Sequence, residues 1–218
     1  MSIETSVDSV DFVCMRHGES VWNAQHRLQG QSPDPTNRLT DEGVEQVKAS
    51  ALKLKPQLAG REVMIWASPL PRAQQTAELI AEIFEYKQPI RFDKRLMEAY
   101  HGSFEGKNDT DPGYHDHPHY AARKEIKDPS IKFNTPFGPP EDKAESPIKV
   151  YTRVKEFFDE IAAQYPNHLH IIATHGGPIN HTYKVCTGDY GPGERAANGE
   201  VIQFKYILED KTVQTTCL

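Results

Sequence analysis

The sequence is poor in the features that mark secreted and membrane-spanning proteins. It holds three cysteines, Cys14, Cys186 and Cys217, and no CxxC spacing, which argues against a disulfide framework and against a thiolate zinc site. No apolar run approaches the roughly 20 residues that a membrane span needs. The first residues lack the basic and apolar regions of a secretory signal. We therefore expect a cytoplasmic protein with no membrane partner, in which the cysteines serve as small buried hydrophobic residues.

Positive charge is also scarce. The chain has 25 lysines and arginines against 31 aspartates and glutamates, which gives a formal net charge of −6 at neutral pH. Proteins that bind nucleic acid normally show a basic surplus, so we expect no nucleic-acid partner. The length of 218 residues allows one domain, or one domain that carries a sizeable insertion.

What the sequence does contain is an alternation of strand-like and helix-like segments. Buried strands are predicted over residues 11–16, 63–67 and 169–174, and an alternating last strand over 201–208. Helices are predicted to begin at Thr40 and at Pro71, and apolar residues recur at helical spacing between 150 and 161. This alternation predicts an α/β fold, a three-layer sandwich with a mostly parallel central sheet and helices on both faces.

One segment, at about 107–148, interrupts this alternation. It contains seven of the 16 prolines, many charges and few clustered aliphatic residues, so it cannot continue the sheet. It could be a mobile loop or a cap over the sheet, and its larger apolar side chains favour the cap: Tyr114, Tyr120, Ile126, Ile131, Phe133 and Phe137. The chain is therefore predicted to be a single domain over 1–218 with a Pro-rich insert.

Unusual polar residues follow three of the predicted strands. Arg16 and His17 end the first, Arg72 lies on the helix after the second, and His175 and Gly176 follow the third. If these strands are neighbours, the side chains converge where open α/β sheets bind their ligands. Such a cluster repels itself unless an anion lies within it, and arginine forks match phosphoryl oxygens. The pattern predicts a phosphate site.

Four motifs around these positions resemble those of the histidine phosphatase superfamily, in its phosphoglycerate mutase-like branch. RHGES at 16–20 followed by Asn23 resembles the family's opening motif, and SPLPRAQQTA at 68–77 its second. LMEAYHGSFEG at 96–106 resembles the segment with the catalytic acid, and THGGPI at 174–179 the last motif. They occur in the family's order and span most of the chain except the Pro-rich insert.

The resemblance implies a role for each matching residue. His17 would be the nucleophile that forms a phosphohistidine, and Glu98 would protonate the leaving group and then activate water. Glu105 lies close enough in sequence to be an alternative acid. No cofactor and no metal are implied. The residues implied to bind the phosphate or the rest of the substrate are Arg16, Asn23, Arg72, His175, Gly176, Gln29 and Gly30.

The same resemblance leaves three functions open. The chain has HGGPIN where mutases usually have HGNSLR, and RLQGQ and HGSFEG also resemble the phosphatase side. We therefore expect a phosphomonoester hydrolase that acts on a small phosphorylated metabolite and releases inorganic phosphate. The alternatives are a cofactor-dependent phosphoglycerate mutase and a non-catalytic phospholigand-binding protein. A homodimer is compatible with the sequence.

Three histidines in the insert form a further candidate site. His115, His117 and His119 alternate in the manner of metal ligands on a strand. However, Pro118 and the surrounding turn residues favour a solvated loop without metal.

Overall fold

A six-stranded sheet runs through the centre of the protein. The computed structural model describes residues 8–108, 110–190 and 196–216. The strands are β1 (Ser9–Arg16), β2 (Val63–Ala67), β3 (Arg91–Phe92), β4 (Leu169–Thr174), β5 (Val201–Ile207) and β6 (Val213–Thr216). They are arranged in the order β3-β2-β4-β1-β5-β6. The first four in this order are parallel, and β5 and β6 are antiparallel to their neighbours, so the predicted mostly parallel sheet is confirmed.

Helices cover both faces of this sheet. One face packs against α2 (Asp41–Leu54) and α3 (Pro71–Phe84), and the other against α7 (Pro147–Gln164) and α8 (Gly176–Thr187). Successive side chains of a strand point to opposite faces. Accordingly, Phe12 and Cys14 of β1 belong to the core with α7, whereas Val13 and Met15 belong to the core with α2 and α3. The predicted three-layer sandwich is confirmed.

The helix boundaries follow from local chemistry. The Thr40 hydroxyl accepts a hydrogen bond from the Gly43 N–H, which caps the first turn of α2. This helix ends at Leu54, and a 3-10 turn over Lys55–Leu58 contains Pro56, the residue expected to end or kink it. Pro71 is the first residue of α3, as predicted.

Two expectations about the secondary structure are wrong. The segment 201–208 forms a strand but not the last one, because β6 pairs with it on the outer edge. The sequence of β6, VQTT, is too short and polar to show a pattern. The loop expected before residue 38 also contains a short helix, α1 (Val21–Ala24), which begins with a reciprocal cap between Ser20 and Asn23.

The segment 107–148 folds into short helices. These are α4 (Pro112–His115), α5 (Pro118–Glu125) and α6 (Pro129–Asn134), with a 3-10 turn at Pro140–Asp142. Each starts at a proline, which is pre-organised for the first helical position. The solvated loop expected at residues 115–119 is therefore wrong in part, because Pro118 starts a helix. Phe133 is buried, but Ile131 is 56% exposed and adds little to the core.

The cysteines contribute to packing. Cys14 is buried in the sheet, and Cys186 packs against the same core from α8. Burial raises the pKa of both thiols. Cys217 lies outside the described residues. Within the described ranges, no helix has the length and apolar character to cross a membrane.

Candidate active site

The predicted convergence of strand ends is confirmed. Strands β1 and β4 are parallel neighbours, and Arg16 pairs with Thr174 in their register. The next residue of each strand is a histidine, so His17 and His175 lie side by side with ring centroids 5.1 Å apart. The β1 connection leads to one face of the sheet and the β4 connection to the other, which opens a crevice between them.

His17 is held as a neutral imidazole with a defined tautomer. Its ring is 2% exposed, and its Nδ1–H donates to the Gly18 carbonyl at 2.8 Å. The lone pair therefore lies on Nε2, which accepts a hydrogen bond from Arg72 Nε at 3.1 Å. Burial holds the pKa of His17 well below its usual range, and the charges of Arg72 and Arg16 lower it further. The arrangement supplies a nucleophilic nitrogen.

Arg72 is a completely buried arginine at the start of α3. Its Nη2 donates to the Gly30 carbonyl at 3.0 Å, while Nη1 is buried and has no hydrogen-bond partner among the described residues. Arg16 Nη1 donates to the Ala196 carbonyl at 2.8 Å. Burial lowers the pKa of Arg72 to about 10, so this guanidinium keeps its charge at neutral pH. A buried cation with an unused donor is a strong site for an anion.

His175 lies beside His17 and is hydrogen-bonded to the residue that follows β2. Its Nε2 shares a hydrogen bond of 2.8 Å with the Ser68 hydroxyl, and its Nδ1 is buried without a partner among the described residues. Burial, followed by the charge of Arg72, holds the pKa of His175 well below its usual range. A Cβ added at Gly176, the next residue, would lie 3.4 Å from Cζ of the Arg16 guanidinium.

A cavity of about 300 Å³ lies in front of these residues. Seven of the predicted site residues line it, whereas His175 and Gly176 are not among its lining residues. The seven are Arg16, His17, Asn23, Gln29, Gly30, Arg72 and Glu98.

The structure distinguishes the two candidate acids. Glu98 lines the cavity, and its Oε1 accepts hydrogen bonds from the Ala99 N–H at 2.8 Å and the Gly177 N–H at 3.0 Å. A Cβ on Gly177 would lie 2.0 Å from this oxygen, so a larger residue there would displace the carboxylate. Glu105 does not line the cavity, and its carboxylate instead accepts from the backbone of Gln31 and His101. Burial raises the pKa of Glu105.

Asn23 and Gln29 are fixed by side-chain hydrogen bonds. Asn23 Oδ1 accepts from the Ser20 N–H at 3.1 Å and from Asn198 Nδ2 at 3.2 Å. Gln29 Oε1 accepts from the Ser20 hydroxyl at 2.9 Å and from Asn37 Nδ2 at 3.0 Å. With both oxygens occupied, the amide groups can offer their N–H donors to a ligand.

Sequence reasoning missed several residues around this cavity, among them Asn198, His181 and Lys184. Asn198 Nδ2 also donates to the His17 carbonyl at 3.1 Å, and the Asn-Gly pair that begins at 198 is a turn signal that could have indicated it. His181 and Lys184 line the cavity from α8. Their spacing from Gly177, at i+4 and i+7, places all three on one helix face.

The three alternating histidines contact separate partners in the structure. Among the described residues, no group of three or more potential ligands could hold a metal ion. His117 Nδ1 accepts a hydrogen bond from the His119 N–H, and His119 Nε2–H donates to the Pro136 carbonyl. His115 lies beside Asp116 on the surface.

These features correspond to a known family. A model of the histidine phosphatase superfamily (branch 1) matches residues 12–207. The chain belongs to this superfamily. The match includes all of the motifs on which the resemblance rested.

Two relatives within the superfamily carry the phosphoglycerate mutase name. Phosphoglycerate mutase-like protein 4 of Arabidopsis thaliana is 27% identical over an alignment of 217 positions, which covers 95% of this chain and 85% of that protein. The Photorhabdus laumondii protein named Probable phosphoglycerate mutase GpmB is 38% identical over 94 residues. This second match spans 43% of the chain and 40% of that protein, less than half of each.

Solved structures of other proteins share the fold. The mycobacterial glucosyl-3-phosphoglycerate phosphatase in complex with VO₃ is 21% identical, with a TM-score of 0.71 over 95% of this chain and 97% of that one. Phosphoglycerate mutase from Bacillus anthracis is 23% identical, with a TM-score of 0.76 over 97% of this chain and 94% of that one. The same architecture therefore occurs in a phosphatase and in a mutase.

Proposed function

We propose that the protein is a phosphomonoester hydrolase that acts through a phosphohistidine on a small phosphorylated metabolite. The observation that carries the proposal is a neutral His17 with its lone pair on Nε2, beside Arg16 and Arg72 and in one cavity with Glu98. Arginine guanidinium groups stabilise the charge of a transferring phosphoryl group, so the arrangement needs no metal ion for this purpose.

In the first step, His17 Nε2 attacks phosphorus and the bond between phosphorus and the ester oxygen breaks. The leaving oxygen takes a proton from Glu98, which is thereby deprotonated. Arg16, Arg72 and the amide of Asn23 hold the phosphoryl oxygens. If the Ser68 hydroxyl donates to His175 Nε2, the proton of this neutral ring lies on Nδ1 and can be donated to the same group.

In the second step, a water molecule gives a proton to Glu98 and attacks phosphorus. The bond between phosphorus and His17 Nε2 breaks, so inorganic phosphate leaves and the neutral imidazole and protonated carboxyl group are restored. The net reaction converts a phosphomonoester and water into an alcohol and phosphate. Covalent catalysis divides one difficult displacement into two easier ones.

The insert contributes a wall of the site in this proposal. Phe137, from the segment 107–148, lines the cavity together with Glu98, which the preceding loop supplies. We propose that this segment acts as a cap that excludes water from the first step and selects the leaving group. Such exclusion strengthens the electrostatic interactions within the site.

Hydrolysis of an aryl phosphate tests the proposal directly. We expect turnover by the wild-type protein, an acid-labile phosphoprotein after rapid quenching, and loss of at least about 1000-fold in kcat for His17→Ala. His115→Ala is the matched control, because His115 is exposed and does not line the cavity. The absence of both hydrolysis and phosphoprotein would instead support a phospholigand-binding protein.

Phosphoglycerate mutase activity is the second candidate, because the fold is shared with a mutase of known structure. The two activities differ in whether water or a second substrate hydroxyl accepts the phosphoryl group. We expect slow release of phosphate from 3-phosphoglycerate and no conversion to its isomer. Rapid isomerisation that requires 2,3-bisphosphoglycerate would favour the mutase.

A further inference from the structure

Part of the wall of the catalytic cavity has no role in the chemistry proposed above. This part includes three rings, those of His101, Phe137 and His181. The centre of the Phe137 ring lies 5.0 Å from that of His101 and 5.6 Å from that of His181, so the rings pack on one another. The same cavity holds His17 and Glu98, so the leaving group of a bound ester shares it with these rings.

Each of the three rings is carried by a backbone that hydrogen bonds or a helix hold in place. The His101 N–H donates to Glu105 Oε1 at 3.1 Å, and the Phe137 N–H donates to the Glu145 carbonyl at 2.9 Å. His181 belongs to α8. The two imidazoles are therefore fixed parts of the wall.

The imidazoles of His101 and His181 have unused hydrogen-bonding groups. Neither ring forms a hydrogen bond with another described residue, although His181 is only 9% exposed and its Nδ1 is buried. The buried rings of His17, His170 and His175 all form such bonds. Buried polar groups are nearly always hydrogen-bonded, so an orphaned imidazole on a cavity wall indicates a partner that the ligand supplies.

Both imidazoles are uncharged at neutral pH. Burial lowers the pKa of His181 to about 3, with a further contribution from the charges of Lys184 and Arg123. Burial also lowers the pKa of His101, although the Glu98 carboxylate opposes this shift. A neutral imidazole offers one N–H donor and one acceptor nitrogen. A hydroxyl group likewise donates and accepts, whereas a carboxylate or a phosphate dianion only accepts, so the rings match a hydroxyl group better than an anion.

Two cations, Arg27 and Lys184, also line the cavity. The Arg27 guanidinium group is held by other parts of the chain, because its Nε donates to the Gly106 carbonyl at 2.8 Å and its Cζ lies 4.0 Å from the centre of the Trp22 ring. Lys184 follows His181 on the same helix and contributes to keeping that imidazole neutral. Recognition of an anion by Lys184 is the competing interpretation, and the experiment below includes it.

We propose that the leaving group of the substrate carries a hydroxyl group that hydrogen-bonds to His181, with His101 available to a second hydroxyl group. Because Nδ1 of His181 is buried, Nε2 is the nitrogen that meets the ligand. The class of substrate is then the phosphate monoesters of polyols. This inference rests on the proposed phosphatase activity and specifies its substrate.

The test compares esters that share one carbon chain and differ in its substituents. The probes are pentyl phosphate, ribitol 5-phosphate and 5-(phosphonooxy)pentanoate, each scored by kcat/KM. Ribitol 5-phosphate has a hydroxyl group on every carbon that does not carry the phosphate, so one is present at whatever distance His181 lies. We expect it to exceed pentyl phosphate by about tenfold, because a site built to bind a hydroxyl group leaves its own polar groups unpaired when the ligand lacks one.

Substitutions of His181 locate the effect. In His181→Leu the preference for ribitol 5-phosphate over pentyl phosphate should fall at least about fivefold, since leucine offers neither donor nor acceptor. His181→Gln should keep most of the preference, because its amide group offers both. His115→Leu is the control, since His115 is exposed and does not line the cavity. A purely structural role of His181 would lower the rates for both probes equally and leave their ratio unchanged.

Calorimetry separates failure of this inference from failure of the proposed activity. If no probe is hydrolysed, the phosphatase proposal is wrong, and the same esters then serve as ligands. Ribitol 5-phosphate should still bind about tenfold more tightly than pentyl phosphate, a difference of about 1.4 kcal/mol.

Three results would overturn the inference. The first is equal kcat/KM, or equal affinity, for ribitol 5-phosphate and pentyl phosphate in the wild-type protein. The second is a preference for the carboxylate probe over ribitol 5-phosphate, which would assign recognition of the leaving group to Lys184. The third is an unchanged preference in His181→Leu.

Discussion

At the scale of single residues, Gly177 helps to fix the position of Glu98. Its N–H donates to Glu98, and a Cβ there would lie 2.0 Å from Glu98 Oε1. The atom that would clash is the end of a flexible side chain, so the chain can fold by moving the carboxylate. The proposed proton donor would then leave its position.

We therefore expect Gly177→Ala to lower kcat for an alkyl phosphate by about 100-fold, the usual contribution of a positioned acid. The loss should be smaller for an aryl phosphate, whose leaving group needs less protonation. Gly113→Ala is the control, because its Cβ would also meet a flexible side-chain end, that of Lys107, and Gly113 does not line the cavity. Wild-type rates in Gly177→Ala would show that Glu98 is not the acid.

At the scale of elements, helix α7 positions the loop that carries Glu98. Arg153 donates to the Arg95 carbonyl at 2.6 Å and to the Glu98 carbonyl at 2.9 Å, and it pairs with Glu145. Glu145 in turn accepts from the Tyr100 N–H at 2.9 Å. The loop is thus held on both sides of Glu98, at Arg95 and at Tyr100, by contacts with Arg153 and Glu145. Arg153 belongs to α7, the helix that follows the insert in the sequence.

Arg153→Met should release this loop without removing any group from the cavity. We expect kcat to fall by about tenfold, with KM within about twofold of wild type, because small misplacements of a catalytic group are costly. Arg153→Lys should keep part of the activity that Arg153→Met loses, since lysine is charged but cannot make the same set of contacts. Arg61→Met, which removes a surface ion pair with Asp11, is the control. Unchanged kcat in Arg153→Met would contradict this positioning role.

At the scale of the whole molecule, buried histidines determine how stability depends on pH. Burial lowers the pKa of His170 to about 4 and that of His181 to about 3, and it holds those of His17 and His175 well below their usual range. The unfolded chain binds protons on these residues below about pH 6.5, whereas the folded chain does not. Acid therefore favours unfolding.

We expect the free energy of unfolding to fall between pH 7.5 and pH 5.5 by about 1 kcal/mol for each buried histidine, as measured by urea denaturation. Burial raises the pKa of Glu105, so this single carboxyl group opposes the trend. His181→Asn should reduce the pH dependence by about 1 kcal/mol, whereas His115→Asn should leave it unchanged. Stability that is constant over this range would show that the imidazoles are accessible to protons.

The predictable part of the fold and site follows from local patterns. Residues 63–67 and 169–174 are apolar runs between turn signals, and Pro71 marks a helix start, so these elements could be predicted. The strand β6 and the helices of the insert could not, because their short polar sequences are stabilised by pairing and by caps.

The sequence by itself determined that His17, Arg72 and His175 meet, because each follows a strand and parallel strands end at the same edge of a sheet. Only the tertiary structure decided that Glu98 faces the cavity while Glu105 turns to the backbone. It also decided which of many charged residues of the insert gather around Phe137. These outcomes depend on contacts between distant segments, for which a sequence with an acidic total and scattered lysines carries no local signal.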